Sequence, residues 1–360
     1  MADDSLPLRL HADAAPVIDD DMTLTGRDGP YLADRGLRAA ANVALTMGMP
    51  LLLTGEPGCG KTDFAFVMAN ALAALEPDRS ATDRKLLQCH VRSDSRATDL
   101  LYHYDALLRF ADGHHGDDDT RAQATDPRHY IELQALGIAL MSQTRRVVLI
   151  DEIDKAPRDL PNDLLRELDR GEFEIREIRR QQRASEPVVD ASGVPLTRVM
   201  VRPPGAPMPV VVITSNVERQ LPDPFLRRCV FYHIPFPDRD RLLAIVRKRA
   251  KHDRPGDPGP LALDKMVDIF VALRQIPELV KRPSTAELLA WTGALATTFA
   301  ANDIKSAINA FHQALGEQGK LAHKTLRWTQ LPGLSCLLKL REDLKTAHDR
   351  WGVPEPRPQG

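Results

Sequence analysis

Leu51-Leu-Leu-Thr-Gly55-Glu-Pro-Gly58-Cys-Gly60-Lys61-Thr62 joins a short apolar run to a glycine-rich turn that closes on Gly-Lys-Thr. The spacing G-x-x-x-x-G-K-[ST] suits a loop whose backbone wraps phosphate oxygens and turns its N–H groups toward them, which glycines permit. In that reading Gly55, Glu56, Pro57, Gly58, Cys59 and Gly60 form the cradle. Lys61 carries positive charge to the β and γ phosphates, and Thr62 offers a hydroxyl to Mg²⁺. Leu51–Leu53 reads as a buried strand entering the loop. Asp63 to Leu75 reads as a helix leaving it, with an N-terminal dipole that favours anions. A plain glycine-rich turn is the competing reading, and the strand–loop–helix context argues against it.

A buried strand ending in an acid should lie beside such a loop, and Val147-Val-Leu-Ile-Asp151-Glu152 has that form. Asp151 suits holding magnesium through water, since a hard cation takes oxygen ligands. Glu152, one residue on, suits polarisation of an attacking water. A solvated acidic turn is the bland alternative. Val210-Val-Val-Ile-Thr-Ser-Asn216 is a further buried strand ending in polar residues. Set between the first strand and Val147–Asp151, it would bring Asn216 near the γ-phosphate and the water; a helix cap is its ordinary reading. No Asn-Lys-x-Asp occurs in the chain, so the usual guanine-reading device is missing.

The 360 residues suit one large domain or two ordinary ones. Apolar residues at 43% and charged residues at 27% exclude wholesale disorder. Lys+Arg of 48 against Asp+Glu of 50 argues against a protein that coats nucleic acid or an anionic membrane. Cys59, Cys89, Cys229 and Cys336 form no C-x-x-C pair, which disfavours a zinc site or a disulfide framework and points to a reducing cytoplasm. Six aspartates in the first 21 residues fit neither a secretory signal nor a transit peptide. The longest uncharged stretch, Ala39 to Gly55, is too short and broken to span a bilayer.

Residues 1 to about 25 read as an acidic flexible leader, and Tyr31 to Met47 as a helix stopped by Gly48 and Pro50. Leu86–Val91 and Val230–Ile234 complete a set of buried strands, with helical patterns at Phe64–Leu75 and Ile131–Met141 between them. That alternation predicts an α/β three-layer sandwich on a parallel sheet, over residues 26–237. Ile178 to Pro209 breaks it and reads as an inserted β-hairpin and loop, with Val188-Val189 and Val199–Val201 as its β-branched pieces. Beyond Pro237 the strands stop. Asp253–Pro260 reads as a linker, Leu261 onward as helical, with Ser284-Thr-Ala-Glu287 a capping box. Residues 238–350 form a smaller all-α lid domain in this reading, and 351–360 a flexible tail. His114-His115 with Asp117-Asp118-Asp119 reads as a polar loop rather than a metal site.

Several blocks in order carry a family resemblance: Pro30-Tyr31-Leu, the glycine-rich loop, Asp94 to Asp105, Leu149 to Leu168, Ile213 to Asn216, Leu221 to Cys229 and Lys281 to Trp291. The chain resembles the MoxR-type AAA+ ATPases of the dynein-related group. The resemblance implies a P-loop NTPase core with strands ordered 5-1-4-3-2, a helical lid, and ATP bound between the two. It implies that Asn216 senses the γ-phosphate and that Arg228, with Arg227 as the alternative, reaches into a neighbouring subunit's site. Arg282 looks like a second sensor, with Lys281 adjacent, and Tyr31 like a lining residue of the adenine pocket. The hairpin before Val210 and the segment Asp94 to Arg109 resemble insertions that project toward a channel or a partner. A hexameric ring that remodels a client protein follows, with a separate von Willebrand factor A chain as a partner of the kind the family uses. A McrB-type motor linked to nucleic acid and an ATP-dependent scaffold with little turnover are the alternatives.

Overall fold

The computed structural model describes residues 18–19, 22–75, 80–178, 187–216, 218–249, 260–298, 301–315 and 328–351. Most of the leader, part of the inserted stretch (179–186), the linker 253–259 and the tail 352–360 lie outside the described residues. The chain divides into two compact units, one of residues 1–28, 33–54 and 61–233, the other of residues 29–32, 55–60 and 234–360.

The first unit begins with α1 (Arg35–Met47), β1 (Leu51–Thr54), α2 (Lys61–Leu75) and β2 (Leu87–His90). It continues through α3 (Ala97–Leu101), β3 (Tyr102–Tyr104), α4 (Ala106–His115), α5 (Asp118–Ala124), β4 (Ile131–Leu133) and α6 (Ala135–Met141). Then come β5 (Val147–Asp151), α7 (Leu160–Arg170), β6 (Glu172–Glu174), β7 (Val199–Val201), β8 (Val210–Ser215), α8 (Asp223–Leu226) and β9 (Val230–His233). Five strands form one sheet in the order β2-β5-β8-β1-β9, and every pair in it is parallel. Renumbered among themselves, these strands run 5-1-4-3-2, the expected order. The central three are Val, Ile and Leu runs buried on both faces, as a sheet covered by helices on each side requires.

The register positions the chemistry. Ile150 pairs with Ile213, and Thr54 with Ser215, so the carboxyl ends of β5, β8 and β1 finish side by side. Asp151 is therefore level with Thr214.

Several local expectations are corrected. Helix α1 starts at Arg35 rather than Tyr31, because Asp34 caps it by accepting from the Leu37 N–H at 2.7 Å. Ile131 does not open a helix. Ile131–Leu133 pairs antiparallel with Tyr102–Tyr104, and its alternating burial suits a strand with one exposed face. Val199–Val201 pairs with Glu172–Glu174, ahead of the stretch read as the insertion, while Val189 makes only an isolated bridge to Pro195. His114 and His115 end a helix and Asp117 caps the next one, so this segment is not a loop. The described part of the leader is docked: Ile18 and Leu24 are buried, and the Asn42 side chain exchanges hydrogen bonds of 2.7 and 3.1 Å with the Ile18 backbone.

The second unit holds α9 (Arg239–Arg249), α10 (Pro260–Arg274), α11 (Thr285–Thr298), α12 (Ala301–Ala314), α13 (Leu334–Leu337) and α14 (Arg341–Trp351). Its own core gathers Phe270, Trp291, Phe311 and Trp328 with Leu and Ile side chains. The capping box at the start of α11 forms: Ser284 N–H donates to Glu287 Oε2 at 2.6 Å and Glu287 N–H to Ser284 Oγ at 3.4 Å. Among the described residues, no helix is long and apolar enough to cross a membrane.

Candidate functional site

In the first unit, Thr62 Oγ1 donates to Asp151 Oδ1 at 3.0 Å. Thr214 Oγ1 donates to the same oxygen at 2.5 Å and accepts from the Glu152 N–H at 2.9 Å. One fully buried hydroxyl thus joins the two adjacent acids. The Glu152 carboxylate is engaged at both ends, by Asn216 Nδ2 at 3.2 Å on Oε1 and by Lys155 Nζ on Oε2. The hydrogen bond to Glu152 raises the Lys155 pKa above its ordinary value. Glu152 has φ of 57°, alone among the described non-glycine residues in the left-handed region. Such a conformation costs on the order of 1–3 kcal/mol and persists where surrounding contacts over-determine it. Here three partners do so.

Asn216 is itself held from behind. Asp154, 3% exposed, accepts from the backbone N–H of Asn216 at 3.2 Å and of Glu218 at 3.0 Å. Lys61 opens α2 and is buried to 7% exposure. The first N–H groups of an α-helix have no partner within the helix, so the backbone from Lys61 to Asp63 is suited to meet an anion. The Asp63 carboxylate turns away to accept from the Arg27 N–H at 2.6 Å.

Arg227 and Arg228 follow α8 and are exposed. Arg228 Nη1 lies 3.3 Å from Asp169 Oδ2, with each side chain more than half exposed.

The second unit contains Gly55–Gly60, Tyr31 and Arg282. Gly55, Gly58 and Gly60 have φ of 147°, 76° and 97°, which side-chain-bearing residues rarely adopt. The Tyr31 hydroxyl donates to the Gly60 carbonyl at 3.3 Å, so this ring packs on the loop itself. Cys59, half-buried and outside any disulfide, donates its backbone N–H to the Glu56 carbonyl at 3.2 Å. Glu56 Oε2 accepts from Arg274 Nη2 at 2.9 Å. Arg282 is exposed, and the segment before it is anchored by Asp343, which accepts from the Val280 and Lys281 N–H groups.

Sequence reasoning missed Thr214, Asp154, Lys155, Arg274 and Asp343. Thr214 had a usable signal, since a hydroxyl near the end of an apolar buried strand needs a partner, whereas Asp154 sits in the turn after β5. Arg274 and Asp343 had none.

The model of the AAA domain of the dynein-related subfamily matches residues 50–229, half of the chain. The chain belongs to the dynein-related AAA subfamily. The matched region of this AAA chain holds Lys61, Thr62, Asp151, Glu152, Asn216, Arg227 and Arg228, whereas Tyr31 and Arg282 lie outside it. No curated protein is a significant match to the chain. Among solved structures it is similar to the FIGL-1 AAA domain in complex with ADP, at 15% identity, 88% of this chain, 92% of that chain and a TM-score of 0.38. PCH-2 from C. elegans is similar at 15% identity, 75% and 64% coverage and a TM-score of 0.37. NtrX from Brucella abortus in complex with ATP is similar at 15% identity and a TM-score of 0.31, with 82% of this chain covered but only 53% of that one.

Proposed function

We propose that this AAA chain hydrolyses ATP to ADP and phosphate, and that it does so in a ring with neighbouring copies. The observation that carries the reading is the hydrogen-bonded set Thr62–Asp151–Thr214–Glu152–Asn216 at the carboxyl ends of adjacent parallel strands. The loop Gly55, Glu56, Pro57, Gly58, Cys59, Gly60 turns its backbone to the phosphates, the first turn of α2 through Asp63 adds further N–H groups, and Lys61 neutralises charge. Tyr31 lines the adenine side, and Arg282, beside Lys281, acts as the second sensor.

Thr62 and Asp151 fit Mg²⁺. They are hard oxygen donors set 3.0 Å apart, and magnesium takes one or two carboxylates and fills its octahedron with phosphate and water oxygens. Among the described residues no cluster of three or more His, Cys, Asp or Glu side chains competes for a softer metal. Bound there, magnesium would offset charge on the phosphate oxygens.

Glu152 accepts a proton as water attacks the γ-phosphorus. The bond to the β–γ bridging oxygen breaks, and ADP leaves with that electron pair. Asn216 orients the water and Glu152 together. Arg228, with Arg227 beside it, stabilises the charge of the transferred phosphoryl group in the adjacent copy's site. Its contact with Asp169 is no obstacle, since exposed ion pairs contribute about 0–1 kcal/mol.

In finer terms the reading is a MoxR-type remodelling motor: cytoplasmic, with a near-neutral charge that disfavours nucleic-acid binding, and acting on a separate client protein. A chain with a von Willebrand factor A domain is the partner class its family resemblance suggests. The test is ATP turnover against protein concentration. Turnover per chain should climb with assembly, and replacing Arg227 and Arg228 together by Ala should lower it about 10³-fold or more with ATP affinity retained. A monomeric preparation at full rate, indifferent to both replacements, contradicts assembly-dependent hydrolysis.

A further inference from the structure

Arg274 ends α10, and its guanidinium is held on three sides within the second unit. It stacks 3.4 Å from the centroid of the Phe236 ring. Nη1 donates to the Pro283 carbonyl, and Nη2 donates to Glu56 Oε2 at 2.9 Å. The Arg274 side chain is only 10% exposed while Glu56 is 48% exposed, so the buried cation carries the more exposed acid. Glu56 is the second residue of the glycine-rich loop, and Pro283 directly follows Arg282. A single planar group therefore grips both the loop and the segment that bears Arg282.

Two further contacts fix that segment. Asp343, fully buried, accepts from Val280 N–H at 2.7 Å and Lys281 N–H at 3.1 Å. The tip of the loop presses on the residue that caps α11: a Cβ added at Gly58 would stand 2.5 Å from Ser284 Oγ and 2.8 Å from Ser284 Cβ. The loop leans on the segment at one end, and Arg274 ties them at the other.

We propose that Arg274 is a positioning residue for nucleotide binding, which holds Glu56 and through it presets the phosphate loop. The inference rests on reading Gly55–Thr62 as a nucleotide loop. Two physical effects act in the same direction. A loop with glycines in three left-handed positions has little side-chain packing of its own, and ordering it only on binding would lower affinity. Glu56 also brings a negative charge into a loop built for phosphates, and the guanidinium offsets that charge. The fork of Arg274 serves the Glu56 carboxylate and the Pro283 carbonyl at once while its face lies on Phe236, a combination that a lysine ammonium cannot reproduce.

The test is calorimetric titration of ADP into the full chain, with the melting temperature of each unliganded protein measured alongside. Arg274→Met is expected to weaken ADP binding about tenfold or more, as loss of a charge-assisted hydrogen bond predicts. Glu56→Gln on top of Arg274→Met is expected to cost less affinity than Glu56→Gln costs alone, because the hydrogen bond from Arg274 is already gone. That coupling in ADP affinity is a readout that a general loss of stability would not produce. If Arg274→Met does not fold, Arg274→Lys serves instead, with an expected loss of about threefold or more. A folded Arg274 variant with the parent affinity overturns the proposal, as does a double variant whose loss is the product of the two single losses. A parent protein that binds no ADP overturns the nucleotide reading of the loop and this inference with it.

Discussion

The hydroxyl of Thr214 lies 2.5 Å from Asp151 Oδ1, although 63 residues separate the two in the chain. Parallel pairing of β5 with β8 puts them level, and the same hydroxyl accepts the Glu152 N–H. Thr214→Val keeps the shape and removes the oxygen, leaving that N–H without its partner beside a fully buried position. Destabilisation of about 1–3 kcal/mol is expected, read as a lower urea midpoint. ATP turnover should fall further than stability alone explains, because Glu152 loses one of the contacts that hold its left-handed backbone.

Thiol chemistry gives an independent check on the loop. Burial pushes the thiols of Cys89 and Cys229 up to about 12, so neither offers thiolate near neutrality. Cys59 and Cys336 are half-buried. An aromatic disulfide reagent at mildly alkaline pH should modify Cys59 and Cys336 in the folded chain and reach Cys89 and Cys229 only after unfolding. Saturating ADP should slow modification of Cys59 and leave Cys336 unchanged.

The helical unit should weaken in acid. Burial works to raise the pKa of Asp268, but hydrogen bonds from Arg239 and His312 outweigh it and hold the carboxyl below its usual 3.8. A depressed carboxylate contributes stability that is present above the unfolded-state value and lost as pH falls through the folded one. Melting temperature should therefore hold from about pH 6 to about pH 4 and drop below that, and Asp268→Asn should flatten that acid-side drop while lowering the plateau. An unchanged acid limb in Asp268→Asn would remove this ion-pair cluster from the explanation.

The three central strands were legible because strands buried on both faces must be written as Val, Ile and Leu runs, while the edge strands Leu87–His90 and Val230–His233 are partly exposed, and the glycine-rich loop was legible because its backbone geometry restricts residue choice. The short antiparallel pairs were not. Ile131–Leu133 is three residues long and merges in period with the helix that follows, and Val199–Val201 finds its partner at Glu172–Glu174, outside the stretch whose composition drew attention. At the site, types and spacing pointed to Thr62, Asp151, Glu152 and Asn216, which the fold brings into one hydrogen-bonded set. The left-handed turn at Glu152 and the Arg274–Glu56 contact were hidden for a common reason. Each depends on residues tens to hundreds of positions away, Thr214 and Asn216 for Glu152 and Arg274 for Glu56, which no local pattern records.

The most direct test of ATP hydrolysis at this site is turnover by Glu152→Gln, measured beside its ATP affinity. The amide keeps the shape and a hydrogen-bonding oxygen but cannot accept the proton of the attacking water. Turnover should fall by about 10²–10⁴-fold while ATP still binds and holds the chain in its assembled form. A Glu152→Gln protein that hydrolyses ATP at the parent rate would contradict the account.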